Sequence, residues 1–240
     1  MKYFLTFGGP TIGYRNRVPE VCKDISKFNI FDCIIGYNDD ILKSDNIFWN
    51  QHKNFIETNR RGYGYRVWKS YLVNKTLDKM NDGDILLYCD VGCEYNINAK
   101  DRLNEYIDIV NNSESGILSF YLPYPEYEWT KNDLFKYLEC SDDIKNSCQN
   151  ITTFFLLKKC PNSINFANKF YETCCNYNLI NDSQSITHNH KIFKEHRHDQ
   201  SVFSCLCKIY NSEKIEDASY YINWNEAGLN SPILAKRNRG

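Results

Sequence analysis

One segment constrains the fold of this chain more than any other: Asp82-Gly83-Asp84-Ile85-Leu86-Leu87-Tyr88-Cys89-Asp90-Val91-Gly92-Cys93-Glu94. A turn leads into a short apolar run, and the run stops at a carboxylate. The length and composition of Ile85 to Cys89 predict a buried, parallel strand, because a strand covered on both faces loses its polar alternation. Packing gives such a strand no reason to end on an acid and a glycine. In an open α/β sheet, ligands bind at the carboxyl ends of the strands. A carboxylate there can hold a divalent cation against a phosphate. Asp also opens turns for purely local reasons, and the segment by itself is compatible with either role.

The rest of the chain supplies the context. Its 240 residues, 42% hydrophobic and 15% aromatic, suffice for one full core. Residues 2–7 read as a first strand closed by Gly8-Gly9-Pro10, and 32–37 as a second. A helix is expected over about 19–28, whereas 38–61 shows no clean period. The glycine-aromatic loop 60–65 runs into a helix ending near Met80, with Trp68, Leu72, Val73, Leu77 and Met80 on one face. Further helices are expected over about 99–111 and 131–140, around Phe166, Phe170 and Cys174, and around Val202, Phe203, Leu206, Cys207 and Tyr210. Strands are expected over 116–122 and 152–158, a loop over 123–130, and a polar loop over about 181–192. Neither a repeat nor a break in composition divides the chain. The expectation is one α/β domain over 1–240.

Net charge is −1, which gives no electrostatic reason to expect nucleic acid or an anionic membrane as partner. Neither a signal peptide nor the run of about 18 apolar residues that spans a bilayer is visible, so no transmembrane segment and a cytoplasmic location are expected. The 11 cysteines are odd in number and lack paired C-x-x-C spacing; they read mostly as reduced, buried thiols. Oligomeric state leaves no trace in the sequence.

Several constellations carry chemistry. His196-Arg197-His198-Asp199-Gln200-Ser201 sets two imidazoles and a carboxylate at the start of an apolar-faced helix. Asp199 there is either a helix cap or a base, with a histidine serving metal or phosphate. The sequence does not choose between His196 and His198. A zinc site from His188, His190, His196 and His198 would have to span a polar segment, and His52 stands alone as a structural residue. Gly62-x-Gly64 lacks the third glycine of a dinucleotide fingerprint; its neighbours Tyr63, Tyr65 and Trp68 suit packing or the face of a base or sugar. Lys69 either reaches a phosphate or is a solvated helix residue. Glu128 and Trp129 join a hydroxyl acceptor to an aromatic face, as an acceptor-sugar site would; Trp129 serves equally as a loop anchor. The tail Lys236-Arg237-Asn238-Arg239-Gly240 is basic enough to meet a diphosphate.

Four motifs in one order carry a resemblance: Arg61-Gly62-Tyr63-Gly64-Tyr65-x-x-Trp68-Lys69, Gly83-Asp84-Ile85-Leu86-Leu87-Tyr88-x-Asp90-x-Gly92-Cys93, Glu128-Trp129-Thr130-Lys131 and His196-Arg197-His198-Asp199-Gln200-Ser201. Together they resemble a group of GT-A-type glycosyltransferases of bacteria and giant DNA viruses, over nearly the whole chain. The resemblance implies a GT-A-like, Rossmann-type mixed sheet flanked by helices. Residues of about 1–115 would bind a UDP- or GDP-linked sugar, and about 116–240 would face a glycan or other hydroxyl acceptor. It places Gly8, Thr11, Arg15, Tyr65, Lys69, Asp90 and Gly92 near the donor, and Glu128 and Trp129 near the acceptor. Asp199 and His198 become catalytic candidates, Arg237 and Arg239 neutralise the leaving diphosphate, and Asp90 with His196 would bind Mn²⁺ or Mg²⁺. In a viral setting the location would be the host cytoplasm. Gly92 departs from the Asp-x-Asp pattern of such enzymes, which leaves Glu94, a histidine or the diphosphate to complete a cation site. Ser70, Thr152 and Thr153 depart from the pattern as well. The alternatives are a non-catalytic sugar- or nucleotide-binding descendant of the fold and a nucleotidyltransferase, for which Gly8-Gly9-Pro10 with Arg15 and Arg17 would form a weak phosphate loop.

Overall fold

Three short apolar runs start the sheet. In the computed structural model, which describes residues 1–220, 224–226 and 228–239, β1 (Lys2–Phe7) pairs in parallel with β2 (Cys33–Tyr37) on one edge and with β3 (Ile85–Cys89) on the other. Gly240 of the basic tail lies outside the described residues. Beyond β3 the direction reverses. β7 (Phe154–Lys158) runs antiparallel to β3, and β5 (Ile117–Pro125) antiparallel to β7. The short β6 (Cys148–Asn150) pairs the far half of β5, and β8 (Glu213–Glu216) runs parallel to β5. The result is a seven-stranded sheet of order β2-β1-β3-β7-β5-β6, with β8 on β5. A separate pair, β4 (Glu94–Tyr95) with β9 (Ile233–Leu234), ties the last described segment to the turn after Asp90.

Helices cover both faces, which is why β3 is buried at every residue. On one face α4 (Val67–Lys79), α9 (Pro161–Cys175) and α10 (Asp199–Ile209) set Leu72, Phe170 and Phe203 against Leu5, Leu86, Tyr88 and Phe155. On the other, α1 (Ile12–Ser26) and α5 (Lys100–Asn112) set Val21, Ile25 and Leu103 against Phe4, Leu87 and Leu156. Successive strand residues point to opposite faces, and each face meets its own helical layer. The expected mixed α/β architecture is therefore the one observed. The purely parallel setting expected of β3 is not: β7 is its antiparallel neighbour. Two helical layers bury a strand whatever the direction of its partners, so composition does not report direction.

Other differences are local. The first helix starts at Ile12 and carries Pro19 inside it; burial of Val18, Val21 and Ile25 outweighs the missing backbone donor. The stretch without a period folds into α2 (Asp39–Ser44) and α3 (Asn46–Thr58). Their starts are capped by Asn38, which accepts from the Asp40 N–H, and Asp45, which accepts from that of Phe48. Where a loop over 123–130 is expected, β5 continues to Pro125 and is followed by α6 (Glu126–Trp129). The short helices α7 (Asn132–Tyr137) and α8 (Asp142–Asn146) precede β6. No helix among the described residues is long and apolar enough to cross a membrane.

Two histidines belong to this framework. His52 is fully buried, with its ring nitrogens 2.9 Å from the hydroxyls of Tyr177 and Tyr171. His196 accepts the Lys131 N–H at Nδ1 and faces the Leu179 carbonyl with Nε2. Burial pushes His52 down to about 4. Burial, with Lys131 and His198 nearby, pushes His196 down to about 3.

Two predictions follow from these contacts. Phe203 is fully buried among Phe155, Phe166 and Phe170, at ring separations of 4.5, 5.5 and 5.7 Å; Phe203→Ala should cost about 3–5 kcal/mol, read as a lower urea midpoint at unchanged slope. Both histidines stay neutral when folded but take up protons near pH 6.5 when unfolded. Stability should therefore be unaffected by them above pH 6.5 and fall as pH drops from there toward 4, by about 1.4 kcal/mol per pH unit for each. Urea titrations at a series of pH values in this window should show the slope reduced by one proton in His52→Gln; an unchanged slope would refute the assignment.

Candidate functional site

The carboxyl ends of β1 and β3 open into one cleft of about 710 Å³, within the roughly 300–1,000 Å³ of small-molecule sites. Gly9 and Thr11 reach it from the end of β1, and Asp90 and Gly92 from the end of β3. Thr152 and Thr153 interrupt β6 and β7 and form part of the wall; the Thr153 carbonyl accepts the Asp90 N–H at 2.7 Å.

Behind the cleft lies a buried ion cluster centred on Lys69, in the first turn of α4. Its ammonium stands 3.0 Å from Asp90 Oδ1 and 3.1 Å from Asp199 Oδ2, and donates to the Thr152 carbonyl at 3.0 Å. The Thr152 carbonyl takes one of its three donors, and the two carboxylates form close ion pairs with it. Burial opposes the charge, but Asp199 and Asp90 outweigh it and raise the Lys69 pKa. Tyr88 donates its hydroxyl to the same Asp90 oxygen at 2.7 Å; burial and then Asp90 hold its phenol well above the usual value. Thr152 donates to Asp199 Oδ2 at 3.2 Å, and Arg66 lies 3.7 Å from Asp199 Oδ1.

The chain enters α4 through a left-handed turn. Gly62, Tyr63, Gly64, Tyr65 and Arg66 have φ of 58°, 54°, 78°, 50° and 64°. Outside glycine this conformation costs about 1–2 kcal/mol per residue. The surroundings hold it in place: Gly64 donates to the Asn59 carbonyl at 2.8 Å, and Trp68 Nε1 to the Gly62 carbonyl at 3.1 Å. A Cβ on Gly64 would lie 2.7 Å from the Ile56 side chain. The turn presents Arg60, Arg61 and Arg66 to the cleft.

Of the residues expected near a donor, Thr11, Asp90 and Gly92 line the cleft. Gly8 packs instead against α1, where a Cβ would lie 2.2 Å from the Tyr14 carbonyl. Arg15 is turned away onto Asp39 and Asp40, at 2.7 and 2.9 Å. Tyr65 stacks on His198, with ring centroids 4.8 Å apart, and donates to Asp182. Lys69 sits behind the wall, 1% exposed. Glu128 pairs with Lys194 at 2.7 Å, and the Trp129 ring carries the Arg197 guanidinium at 4.1 Å; neither lines the cleft.

Both catalytic candidates are buried, with side chains 2% and 3% exposed for Asp199 and His198, and they differ in their partners. Asp199 lines the cleft but its side chain is 2% exposed and serves Lys69, so it acts as a counter-ion. His198 also lines the cleft. Its Nδ1 is 2.8 Å from the Ile180 carbonyl, which fixes the proton there, while Nε2 is buried without a hydrogen-bond partner and faces Asp182 Oδ1 at 3.6 Å. Burial lowers the His198 pKa, against smaller opposing effects of the Ile180 carbonyl, Asp199 and Asp182. The imidazole is neutral, with a lone pair at Nε2.

Arg237 and Arg239 line the cleft, and no carboxylate among the described residues pairs with either. Arg60, Arg61, Arg66 and Arg197 line it too. Sequence reasoning passed over these four; the adjacent Arg60-Arg61 before the glycine loop was the available signal.

A divalent cation finds no ligand set here. No group of three His, Cys, Asp or Glu among the described residues is arranged to hold one. Asp90 Oδ1 already receives Lys69 and Tyr88. At Gly92 a Cβ would lie 3.2 Å from both Arg237 Cα and the Asn238 carbonyl oxygen, so a side chain there would crowd that backbone. Glu94 is held by Lys236 at 2.9 Å and Asn238 at 3.1 Å. His196 spends both ring nitrogens on backbone groups.

No protein-family model and no curated protein matches the chain. Among solved structures it is similar to a glycosyltransferase involved in the glycosylation of the major capsid of PBCV-1. The TM-score is 0.51, with 10% identity over 97% of this chain and 91% of that one. Mouse xyloside xylosyltransferase 1 in its apo form gives 0.48, with 12% identity over 92% and 87%. At such identities the first likeness concerns fold: the chain has the mixed α/β fold of a glycosyltransferase.

Proposed function

We propose that the chain transfers a sugar from a UDP- or GDP-linked donor to a hydroxyl of a glycan or other acceptor. One observation carries this. Of the six arginines that line a cleft at the carboxyl ends of two parallel strands, Arg60, Arg237 and Arg239 have no carboxylate partner among the described residues, while Arg61 pairs with Asp182 and Glu195, Arg197 with Glu195, and Arg66 lies near Asp199. The whole chain has a net charge of −1, so the positive surplus is local. It suits a nucleoside diphosphate, whose negative charge grows as the bond to the sugar breaks. Arg237 and Arg239 supply guanidinium donors to that diphosphate. Asp90 faces the donor with the oxygen that Lys69 and Tyr88 leave open. Proton acceptance from the attacking hydroxyl falls to Nε2 of the neutral His198, which acceptor binding must uncover, since it is buried here with Asp182 Oδ1 3.6 Å away.

A nucleotidyltransferase would need basic groups in the loop after β1. Arg15 is committed to Asp39 and Asp40, and Arg17 to Glu20 and the Cys93 carbonyl. A non-catalytic descendant would bind a donor without ever cleaving it.

The test is a screen of UDP-, GDP- and other nucleotide-sugars for binding and slow hydrolysis. One donor should saturate and turn over. Arg237→Ala should raise its KM tenfold or more, the loss of one charge-assisted hydrogen bond. His198→Gln should lower kcat by about 10²–10⁴ with little change in KM. Because burial holds His198 below its ordinary value of 6.5, activity should stay level through neutrality and fall only on the acid side. Binding of no nucleotide-sugar would refute the proposal.

A further inference from the structure

We infer that Lys69 is the resident cation of this site, its ammonium standing between Asp90 and Asp199 where related chemistry would place a divalent metal. Nucleotide binding is then independent of metal. The inference rests on the glycosyl-transfer proposal for the identity of the ligand, but on geometry alone for the exclusion of metal.

Three observations combine. The first is the seating of the ammonium. It donates a hydrogen bond of 3.0 Å to the Thr152 carbonyl and forms close ion pairs at 3.0 Å with Asp90 Oδ1 and 3.1 Å with Asp199 Oδ2. A divalent ion between the same carboxylates would need oxygens at about 2.0–2.6 Å, and the ammonium would have to leave. It has nowhere to go: the side chain is 1% exposed and belongs to the first turn of α4, pinned by the left-handed turn before it.

The second concerns the other coordination positions. Backbone of Arg237 and Asn238 crowds the space beside Gly92, Glu94 is occupied by Lys236 and Asn238, and His196 is turned to the backbone. The third is the supply of positive charge from elsewhere. A metal would neutralise the diphosphate and fix the acid at the strand end. Arginines lining the cleft do the first, and Lys69 with Tyr88 does the second. Lys69 is thus a positioning residue, acting on the donor through Asp90.

The test uses the full chain and two readouts. In the first, the protein is titrated into Mn²⁺ and the free-ion electron paramagnetic resonance signal is followed. The native chain should leave the signal unchanged. Lys69→Ala, which opens the two carboxylates to each other, should capture one ion per chain, and adding Asp90→Asn should abolish capture. Stoichiometric capture by the native chain overturns the inference, as does a folded Lys69→Ala that captures none. If Lys69→Ala fails to fold, the native titration decides. In the second readout, calorimetric Kd values for UDP and GDP are compared in EDTA and in Mn²⁺. Values within twofold support the inference, and tenfold tightening by Mn²⁺ overturns it. Absence of binding in both buffers counts against the glycosyl-transfer proposal, while the spectroscopic readout still judges Lys69.

Discussion

A buried ammonium needs buried counter-charge, and much of this molecule is arranged around that requirement. Lys69 lies in α4, Asp90 at the end of β3, Thr152 between β6 and β7, and Asp199 at the start of α10. Each belongs to a different part of the chain, and all meet behind one cleft wall. Removing a single member would leave a desolvated charge without its partner, the costly case for buried ion pairs. The order β1-β3-β7 in the sheet and the packing of α4 against α9 and α10 therefore do more than bury apolar area. They hold a fixed pattern of charge at the site where the strands end.

The strained entry to α4 follows from the same requirement. A right-handed path from α3 into α4 would not need five consecutive residues with positive φ. Such strain persists where surrounding contacts over-determine it, and it concentrates at functional sites. Here its effect is visible: the turn places Arg60, Arg61 and Arg66 on the cleft while the next helical turn sends Lys69 inward. The two glycines absorb part of the cost, and Tyr63, Tyr65 and Arg66 carry the rest. Gly62-x-Gly64 is thus a device of backbone geometry and carries no phosphate-binding fingerprint.

What the sequence disclosed was what local pattern encodes. α4 was legible because its apolar residues recur with the helical period, and β1 and β3 because they are short apolar runs bounded by turn residues. The significance of Asp90 was legible because a buried strand rarely stops at an acid without cause. Lys69 was not. From the sequence it is either a phosphate contact or a solvated helix residue, and its burial between Asp90 and Asp199, both distant in the chain, is a tertiary fact. The edge strands β6 and β8 escaped for another reason. Glu-Lys-Ile-Glu at 213–216 has no strand composition and is recruited by its neighbour β5. The choice between His196 and His198 depended on which carbonyls their rings meet, and that is a tertiary fact. Gly92 was read as a missing acid; the structure supplies the reason, because the Arg237–Asn238 backbone crowds the place a side chain would take.

These features also account for how a chain of near-neutral charge presents a cationic cleft. Two of the three carboxylates lining the cleft, Asp90 and Asp199, are already matched from within by Lys69, with Arg66 close to Asp199. Their charge is turned to the protein interior; Arg61 and Arg197 are paired with Asp182 and Glu195, so the unmatched positive charge among the described residues is that of Arg60, Arg237 and Arg239. A divalent ion in the place of Lys69 would add charge beside carboxylates that Lys69 already matches. An ammonium on a helix is permanent, requires no uptake from solution and cannot be removed by a chelator. Its cost is desolvation, met once during folding by Asp90, Asp199 and the Thr152 carbonyl; Arg237 and Arg239, free of carboxylate partners among the described residues, keep their full charge for an anionic ligand.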